Sequence, residues 1–485
     1  MTWLDAAISW LSPGWAARRM MARNTLQLAS RGFRNARPGR LGSAPGGQGG
    51  SDYHLETGFD RRDLVDRARL LQRDNALADG LLQRSAENVI GRGIRPQAGT
   101  ADPAWNDQAE KLFADWAYAQ ADSRQMATFG EMQRLVFRAF IRDGDVGIAK
   151  LSDGSQAVYL SDQIASPNGK THDPAFRDGV ELDRRGRPVR YWVVNQSDDL
   201  NNPNRRQSEG RIAIPSSQFM FLARRQDSDQ TRGLPVFAQS EWLFEQIDGL
   251  IEAVTVAARM AACYGLVIET PFGPGNLQTA PGANGQGYKI ENLEPGSVKY
   301  LETGEKMSQL TPEQPASQWP DFVSLLARLA GLQLGLPLEL IMLDFSRTNL
   351  SSARAALLQA YRSFRGLQQY LIDHWLRPTW EWLVRRWVAQ GLLAPRGDAF
   401  AVDWVPDGWS WIDPVLELQA HGLALDLGIE TLTEITRGVG KDLERIFAKR
   451  AEELKKAKEA GIPDVRSTLS RDPLEPRVPA PPQAA

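Results

Sequence analysis

Apolar residues recur every three or four positions through much of the chain, which predicts a mainly helical protein. The first helical region spans residues 60–90, with Leu64 and Leu71 on its apolar side. Gly91 and Gly93 follow it and are expected to end it. Further helices are predicted at residues 102–120, 128–142, 235–262, 321–334 and 441–460.

After Asp145 the apolar period changes to an alternation, which is typical of half-buried strands. Strands are predicted at residues 146–151, 157–160, 189–194, 211–214 and 218–222. Shorter strands are predicted at residues 266–269, 288–293 and 297–301, around a loop rich in Gly, Pro and Asn at residues 271–287. The pattern therefore predicts an α+β fold in which a small antiparallel β subdomain packs on helices.

The longest predicted helix follows a polar loop at residues 338–350. Ser351 or Ser352 is expected to cap it, because a hydroxyl at that position accepts a hydrogen bond from the first turn. Its apolar side consists of Leu357, Tyr361, Phe364, Leu367, Leu371 and Trp375. Pro378 lacks an amide hydrogen and clashes with the preceding turn, so we expect it to kink or end this helix. A second helical half is predicted at residues 380–388.

Four acidic residues, Glu241, Glu245, Asp248 and Glu252, recur at spacings of four, three and four on the predicted helix 235–262. Such spacing places all four on one side of a helix. Two interpretations have equal weight: an acidic surface with a function, and an ordinary solvated helix face.

The two ends of the chain differ from the rest. Residues 16–40 contain seven arginines and no acidic residue, and a linker rich in Gly, Pro and Ser follows at residues 39–50. Such an arm is either a contact for nucleic acid or an acidic partner, or a solvated terminus. Near the other end, Asp413 and either Thr431 or Thr433 are expected to cap short helices. Residues 463–485 are rich in proline and are expected to be disordered.

Composition excludes several classes of protein. With 485 residues, several subdomains are expected. The net charge of −2 indicates neither nucleic-acid nor membrane binding, and no apolar run reaches the roughly 20 residues of a membrane helix. The single cysteine, Cys263, excludes an internal disulfide. The four histidines have no metal-binding spacing. Residues 168–171 imitate the end of a phosphate loop but lack its first glycine. We therefore predict no enzyme, no metal and no cofactor.

Several blocks, taken in order, resemble one family. They are the helix–Asn–helix block ending at Gly91 and Gly93, the segments GVELDRRGRPVRYWVV and QTRGLPVF, and the string TNLSSARAALLQAYRSF at residues 348–364. Asp413-Pro414, Gly428 and Gly440 continue the pattern. Together these blocks are similar to the lambda-type phage portal proteins, over residues 60–460.

The resemblance implies a mainly helical portal fold with wing, stem, clip and crown regions. After an arm at residues 1–50, it places the wing at 51–234, a stem helix at 235–263 and the clip at 264–319. A second stem helix, a tunnel loop and a long kinked helix returning to the wing would follow at 320–337, 338–351 and 352–412. The crown would occupy 413–462, before the tail at 463–485.

By the same resemblance, about twelve copies form a ring around double-stranded DNA at one capsid vertex. Asp344, Ser346, Arg347 and Asn349 would face the DNA from the tunnel loop, and the four stem acids would line the channel. Implied partners are the terminase large subunit, a major capsid or scaffold protein, and neck or head-completion proteins. The chain would be a virion component assembled in the host cytoplasm. The alternatives are another virion protein, such as a minor capsid or neck component, or a DNA-processing enzyme.

Overall fold

The computed structural model describes residues 60–167, 173, 175–194, 210–263, 267–269, 306–308, 319–346, 348–409 and 412–461. The helices of these residues are α1 Arg61–Asp74, α2 Ala76–Val89, α3 Pro103–Ala119, α4 Phe129–Asp143, α5 Glu241–Cys263, α6 Trp319–Gly331, α7 Leu338–Met342, α8 Leu350–Leu371, α9 Arg377–Ala389, α10 Pro414–Asp426, α11 Leu432–Gly438 and α12 Leu443–Glu459. The strands are β1 Arg95–Ala98, β2 Asp145–Lys150, β3 Gln156–Leu160, β4 Phe176–Arg177, β5 Val180–Leu182, β6 Pro188–Val194, β7 Arg211–Pro215, β8 Phe219–Ala223, β9 Val267–Glu269, β10 Lys306–Ser308 and β11 Val402–Val405. The arginine-rich arm, the strands predicted at 288–293 and 297–301, and the proline-rich tail lie outside the described residues.

The helical region predicted at 60–90 divides into two helices at Asn75. This residue is extended, with φ −119° and ψ 116°, and its side chain accepts a hydrogen bond from the Ala78 amide at 2.9 Å. Asparagine caps a helix in this way because its short side chain replaces the missing backbone acceptor. Gly91 and Gly93 end α2 with positive φ angles, as predicted.

The predicted β subdomain is confirmed, and it consists of two antiparallel sheets. Strand orders are β3-β2-β8 in one sheet and β4-β5-β6-β7 in the other. Tyr191 of β6 stacks on Phe219 of β8 with ring centroids 4.5 Å apart, so the two sheets share one apolar cluster. Five short strands, β1, β4, β5, β10 and β11, were not predicted, because two to four residues carry too little periodicity to detect.

The long helix lies at the centre of the main core. Most of its apolar side is buried, with Tyr361 and Leu367 half-buried, and Trp375 and Trp380 are both 0% exposed. The Trp375 ring lies 5.5 Å from that of Phe129, and the Trp380 ring lies 5.9 Å from that of Phe113. Residues of α3 and α4 therefore cover this helix on one side.

Pro378 interrupts the regular helix, as predicted, but does not end it. A π-helical turn, Ile372–Leu376, precedes the proline and connects α8 directly to α9. A wider turn of this kind accommodates a residue that cannot donate the usual hydrogen bond. The Thr379 hydroxyl donates to the Trp375 carbonyl at 2.8 Å and so occupies one acceptor of the irregular turn.

The C-terminal helices are specified by local caps. Asp413 caps α10, Thr431 forms a capping box with Glu434 at α11, and Asp442 caps α12. Of the two threonines considered for α11, Thr431 is therefore the cap. No residue of these three helices is buried within the part of the chain that the structure describes.

Candidate functional site

The α5–α6 hairpin carries four of the eight candidate site residues, all of them on α5. Gln333, just after α6, donates to Gln239, just before α5, at 2.9 Å, and β9 pairs with β10 at the opposite end of the two helices. The helices are therefore antiparallel. Helix α5 begins at Glu241, six residues later than predicted, because a 3₁₀ turn occupies Val236–Gln239.

A buried ion pair fixes the backbone that leads into α5. The Arg232 guanidinium donates to both oxygens of Asp145 at 2.7 and 2.9 Å, and these residues are 3% and 0% exposed. Arg232 also donates to the carbonyls of Ser161 and Ile164, both at 2.9 Å, and to that of Asp178. Burial lowers the pKa of Arg232, but the Asp145 carboxylate outweighs it and raises that pKa, so the pair stays ionised.

The backbone itself crosses closely at this point. Gly144 has φ +88°, and a Cβ built on it would lie 2.3 Å from the Leu234 carbonyl carbon. Only glycine fits such a conformation and such an approach. Gly144, directly before β2, is therefore in backbone contact with Leu234 in the segment before α5. This contact adds to the Arg232–Asp145 pair.

Helix α1 joins the same charged cluster through its arginines. Arg61 pairs with Asp178, and Arg69 donates to Asp143 at 2.6 Å and to Asp162 at 2.7 Å. Burial opposes ionisation of Asp178, but Arg61, together with the other arginines around it, holds the pKa of its carboxyl well below the usual range. The cluster connects three of the family-like blocks: Arg61 lies in the first, Asp178 directly precedes the second, and Arg232 lies in the third. These blocks therefore share a structural role. Sequence reasoning assigned them none.

Two of the four acids in the stripe of α5 contact other parts of the fold. Asp248 accepts two hydrogen bonds from the Asn75 amide, at 2.9 and 2.8 Å. Glu241 lies 3.7 Å from Arg67, and its side chain is only 12% exposed, so burial raises its pKa to about 7. These two acids contact α1 and the α1–α2 junction, although Asp248 remains exposed, as Glu245 and Glu252 are.

The segment predicted as a polar loop at 338–350 is partly helical. Helix α7 occupies its first five residues and ends at Leu343, which has φ +53°. The Asp344 carboxylate accepts a hydrogen bond from the Ser346 amide at 2.9 Å, so Asp344 does hold a local turn. Met342 and Phe345 are 52% and 45% exposed, which makes the tip more apolar than the sequence suggested.

The cap of α8 differs from the prediction, and the position of Arg347 is not described. Asn349, and not Ser351 or Ser352, caps α8, because its side chain accepts from the Ser352 amide at 2.8 Å. The cap uses only the oxygen of Asn349, and its NH2 group is a separate donor, so the expectation that Asn349 faces the DNA stays a prediction. Arg347 lies outside the described residues.

The described residues contain no cluster of His, Cys, Asp and Glu that fits a metal ion. His374 stacks on Tyr370 with ring centroids 4.3 Å apart. His421 lies 2.6 Å from Glu430. Residues 168–171, which imitate a phosphate loop, lie outside the described residues. Among the helices described here, none is both long and apolar enough to span a membrane.

Comparison with known proteins gives consistent matches. A family described as "Phage portal protein, lambda family" matches residues 45–368. The probable portal protein of Halomonas phage phiHAP-1 is 23% identical over 466 residues, covering 90% of this chain and 88% of that protein. Portal protein B of Escherichia phage lambda is 21% identical over 454 residues, covering 82% of this chain and 84% of that protein.

Among solved structures, a chain of the virion of a native gene transfer agent particle is similar at 15% identity. It has a TM-score of 0.46 and covers 78% of this chain and 94% of that one. The portal of an HK97-family phage from Corynebacterium diphtheriae gives a TM-score of 0.27 at 13% identity, over 75% and 96% of the two chains. Because the family match spans well over half of the sequence, this chain belongs to the lambda family of phage portal proteins.

Proposed function

We propose that the chain is one subunit of a ring, of about twelve copies, that forms the DNA channel at one vertex of a phage capsid. Helix α6 supplies the observation that carries the ring. Its exposed apolar residues Phe322, Leu325 and Leu329 recur at spacings of three and four, at 51%, 48% and 39% exposure. The adjoining side, with Leu326 and Ala330, packs in the main core. An apolar stripe along a whole helix is a surface that another subunit covers.

The same stem places its acids where water can reach them. If α6 packs on a neighbouring copy, the exposed Glu245 and Glu252 of α5 remain candidates for the channel wall. Carboxylates there repel the phosphates of DNA, and phosphate attraction is what holds nucleic-acid-binding proteins in place. Such a wall lets DNA slide in both directions.

The segment between α7 and α8 is the part we assign to contact with moving DNA. Two hydrogen bonds fix the segment where it joins the helices. Thr348 donates to Glu339 of α7 at 3.3 Å, and Asn349 caps α8. Its cation is Arg347. Replacement of Arg347 by Ala is expected to leave rings intact and to alter packaging or retention of DNA. A variant that weakens ring assembly, yet packages normally once assembled, would remove Arg347 from this role.

The remaining partners follow from the portal assignment. We propose that residues 264–319 meet the terminase large subunit and later the neck or head-completion proteins. The outer parts of the ring would contact the major capsid or scaffold protein. Assembly would take place in the host cytoplasm, the product would be a virion component, and ATP hydrolysis would belong to the terminase. This proposal is favoured over a neck or minor capsid role because the family match and the apolar stem stripe both fit a ring with a channel.

Mutation of the α6 stripe tests the ring. Leu325→Glu with Leu329→Glu places charge on the proposed contact and is expected to leave folded subunits that no longer form rings in analytical ultracentrifugation. Leu70→Glu is the matched control, because Leu70 is 49% exposed on α1, outside the stem. If the double variant forms rings as readily as the control, α6 does not form the contact between subunits.

A further inference from the structure

Helix α10 has apolar residues on nearly every side, yet it has no buried residue in the described part of the chain. Its outward side chains include Val415 at 65%, Leu418 at 53% and Leu423 at 61% exposure. A helix that is apolar all round is normally buried. Some surface outside the described residues must therefore cover it.

Loose attachment of the C-terminal helices does not explain the exposure of α10, because hydrogen bonds tie α11 and α12 to the fold. Arg437, at the end of α11, donates to Asp403 of β11 at 2.7 Å. Asp442, the cap of α12, accepts from Gln97 of β1 at 2.9 Å. The base of the C-terminal helices is therefore tied to the β1–β11 pair, and the outer surfaces remain uncovered.

On its inner side, α10 borders a cleft of about 370 Å³ that separates it from α8. We call this the crown cleft; its wall includes Leu358, Tyr361, Trp409, Glu417, Ala420 and His421. The rings of Tyr361 and Trp409 stack at 4.3 Å, and the Arg365 guanidinium lies 5.7 Å from the Trp409 ring. The volume lies in the range of sites that receive apolar side chains or ligands.

The exposed apolar residues lie on the other side of the same helix. At about 100° per residue, Val415 falls opposite Ala420, a residue of the cleft wall, with Leu418 and Leu423 on either side of Val415. We call these three residues the crown ridge. Asp426 lies one turn beyond the ridge on the same side. The cleft wall carries Arg354 and Arg365 together with Glu417, Glu430 and Glu434, so its charge is mixed.

A cleft and a ridge on opposite sides of one helix need two different contacts for each subunit. A head-to-tail ring of identical copies fills every cleft and covers every ridge, whereas any other single partner would have to reach both sides at once. We propose that the crown ridge of one copy sits in the crown cleft of the next. This inference rests on the proposed ring, and it names surfaces that are separate from the α6 stripe.

Cysteine cross-linking tests this contact. In a background carrying Cys263→Ser, which removes the chain's single cysteine, Val415→Cys marks the ridge and Leu358→Cys marks the cleft. Leu358 is 51% exposed and therefore open to reagent. With a short bismaleimide, chains that carry both cysteines are expected to give a ladder of covalent multimers. A mixture of the two single variants should give dimers and nothing larger.

The control pairs Val415→Cys with Leu70→Cys on α1. Neighbouring cysteines in a ring react at a high effective concentration, so the ridge–cleft pair should cross-link at least about tenfold more than this control. Rings that assemble normally but cross-link no better than the control would refute the ridge–cleft contact and leave the ring standing. A protein that forms no rings at all, with or without these changes, would refute the proposed function as well.

Discussion

The Arg232–Asp145 pair makes a strong prediction about stability. Arg232→Leu leaves the buried Asp145 carboxylate with only the more distant Arg61, at 3.9 Å, as counter-charge, and loss of one partner of a buried pair costs about 3–5 kcal/mol. It also removes the donor to three backbone carbonyls, each of which adds about 1–3 kcal/mol when left without a partner. The total exceeds about 6 kcal/mol, which is comparable to the whole stability of a typical domain.

The assay is urea denaturation of the full chain, followed by circular dichroism. Arg232→Leu should unfold at a far lower urea concentration or fail to fold. Arg232→Lys keeps the charge but loses the planar fork, so it should give a midpoint between those of Arg232→Leu and wild type.

The control for this assay is Arg92→Leu. Arg92 donates to Asp407 at 2.8 Å, but its side chain is 80% exposed. This variant should unfold at the wild-type midpoint, since water screens such a pair and solvates each partner after the other is removed. An Arg232→Leu midpoint equal to that of the Arg92 variant would refute the argument that the buried pair fixes the entry to α5.

Three further outcomes follow from named contacts. The folded-state pKa of Glu241, about 7, lies above the pKa of this residue in the unfolded chain. Its contribution to the free energy of unfolding is therefore fully present below the unfolded pKa and is lost as pH rises towards 7. Glu241→Gln should therefore flatten a plot of urea midpoint against pH between about 4.5 and 7 and raise the midpoint at pH 8. Asn75→Ala removes both the α2 cap and the donor to Asp248, and should lower thermal stability by about 1–2 kcal/mol. Gly144→Ala should destabilise by more than about 3 kcal/mol, because a Cβ there meets backbone at 2.3 Å, whereas Gly80→Ala in the open part of α2 should be neutral or stabilising by up to about 1 kcal/mol in the same melts.

Periodicity predicted the elements whose patterns are long. The apolar side of α8, the strands β2, β3, β6, β7 and β8, and the caps at Asp413 and Thr431 all agree with the structure. Their signals are local: a stripe, an alternation, or an oxygen-bearing side chain before a helix. Periodicity gave one helical region across Asn75, whereas the family resemblance implied a helix–Asn–helix block, and the structure divides the helices at that residue.

The charged cluster could not be predicted for a different reason. Arg232 and Asp145 are 87 residues apart, and nothing local marks which arginine meets which aspartate. The acidic stripe shows the same limit. Spacing correctly put four acids on one side of α5, but only the fold reveals that Asn75 and Arg67 occupy part of that side. The cap of α8 was misassigned because three polar residues, Asn349, Ser351 and Ser352, compete within four positions.

Single-particle imaging of the purified protein tests the central claim most directly. The account predicts closed rings with cyclic symmetry and a central channel wide enough for double-stranded DNA, about 20 Å across. The rings should also persist at a salt concentration that screens surface charge, because apolar contacts of α6 and the C-terminal helices hold them. A protein that stays monomeric across salt and protein concentration, or that forms closed assemblies without a channel, would contradict the account.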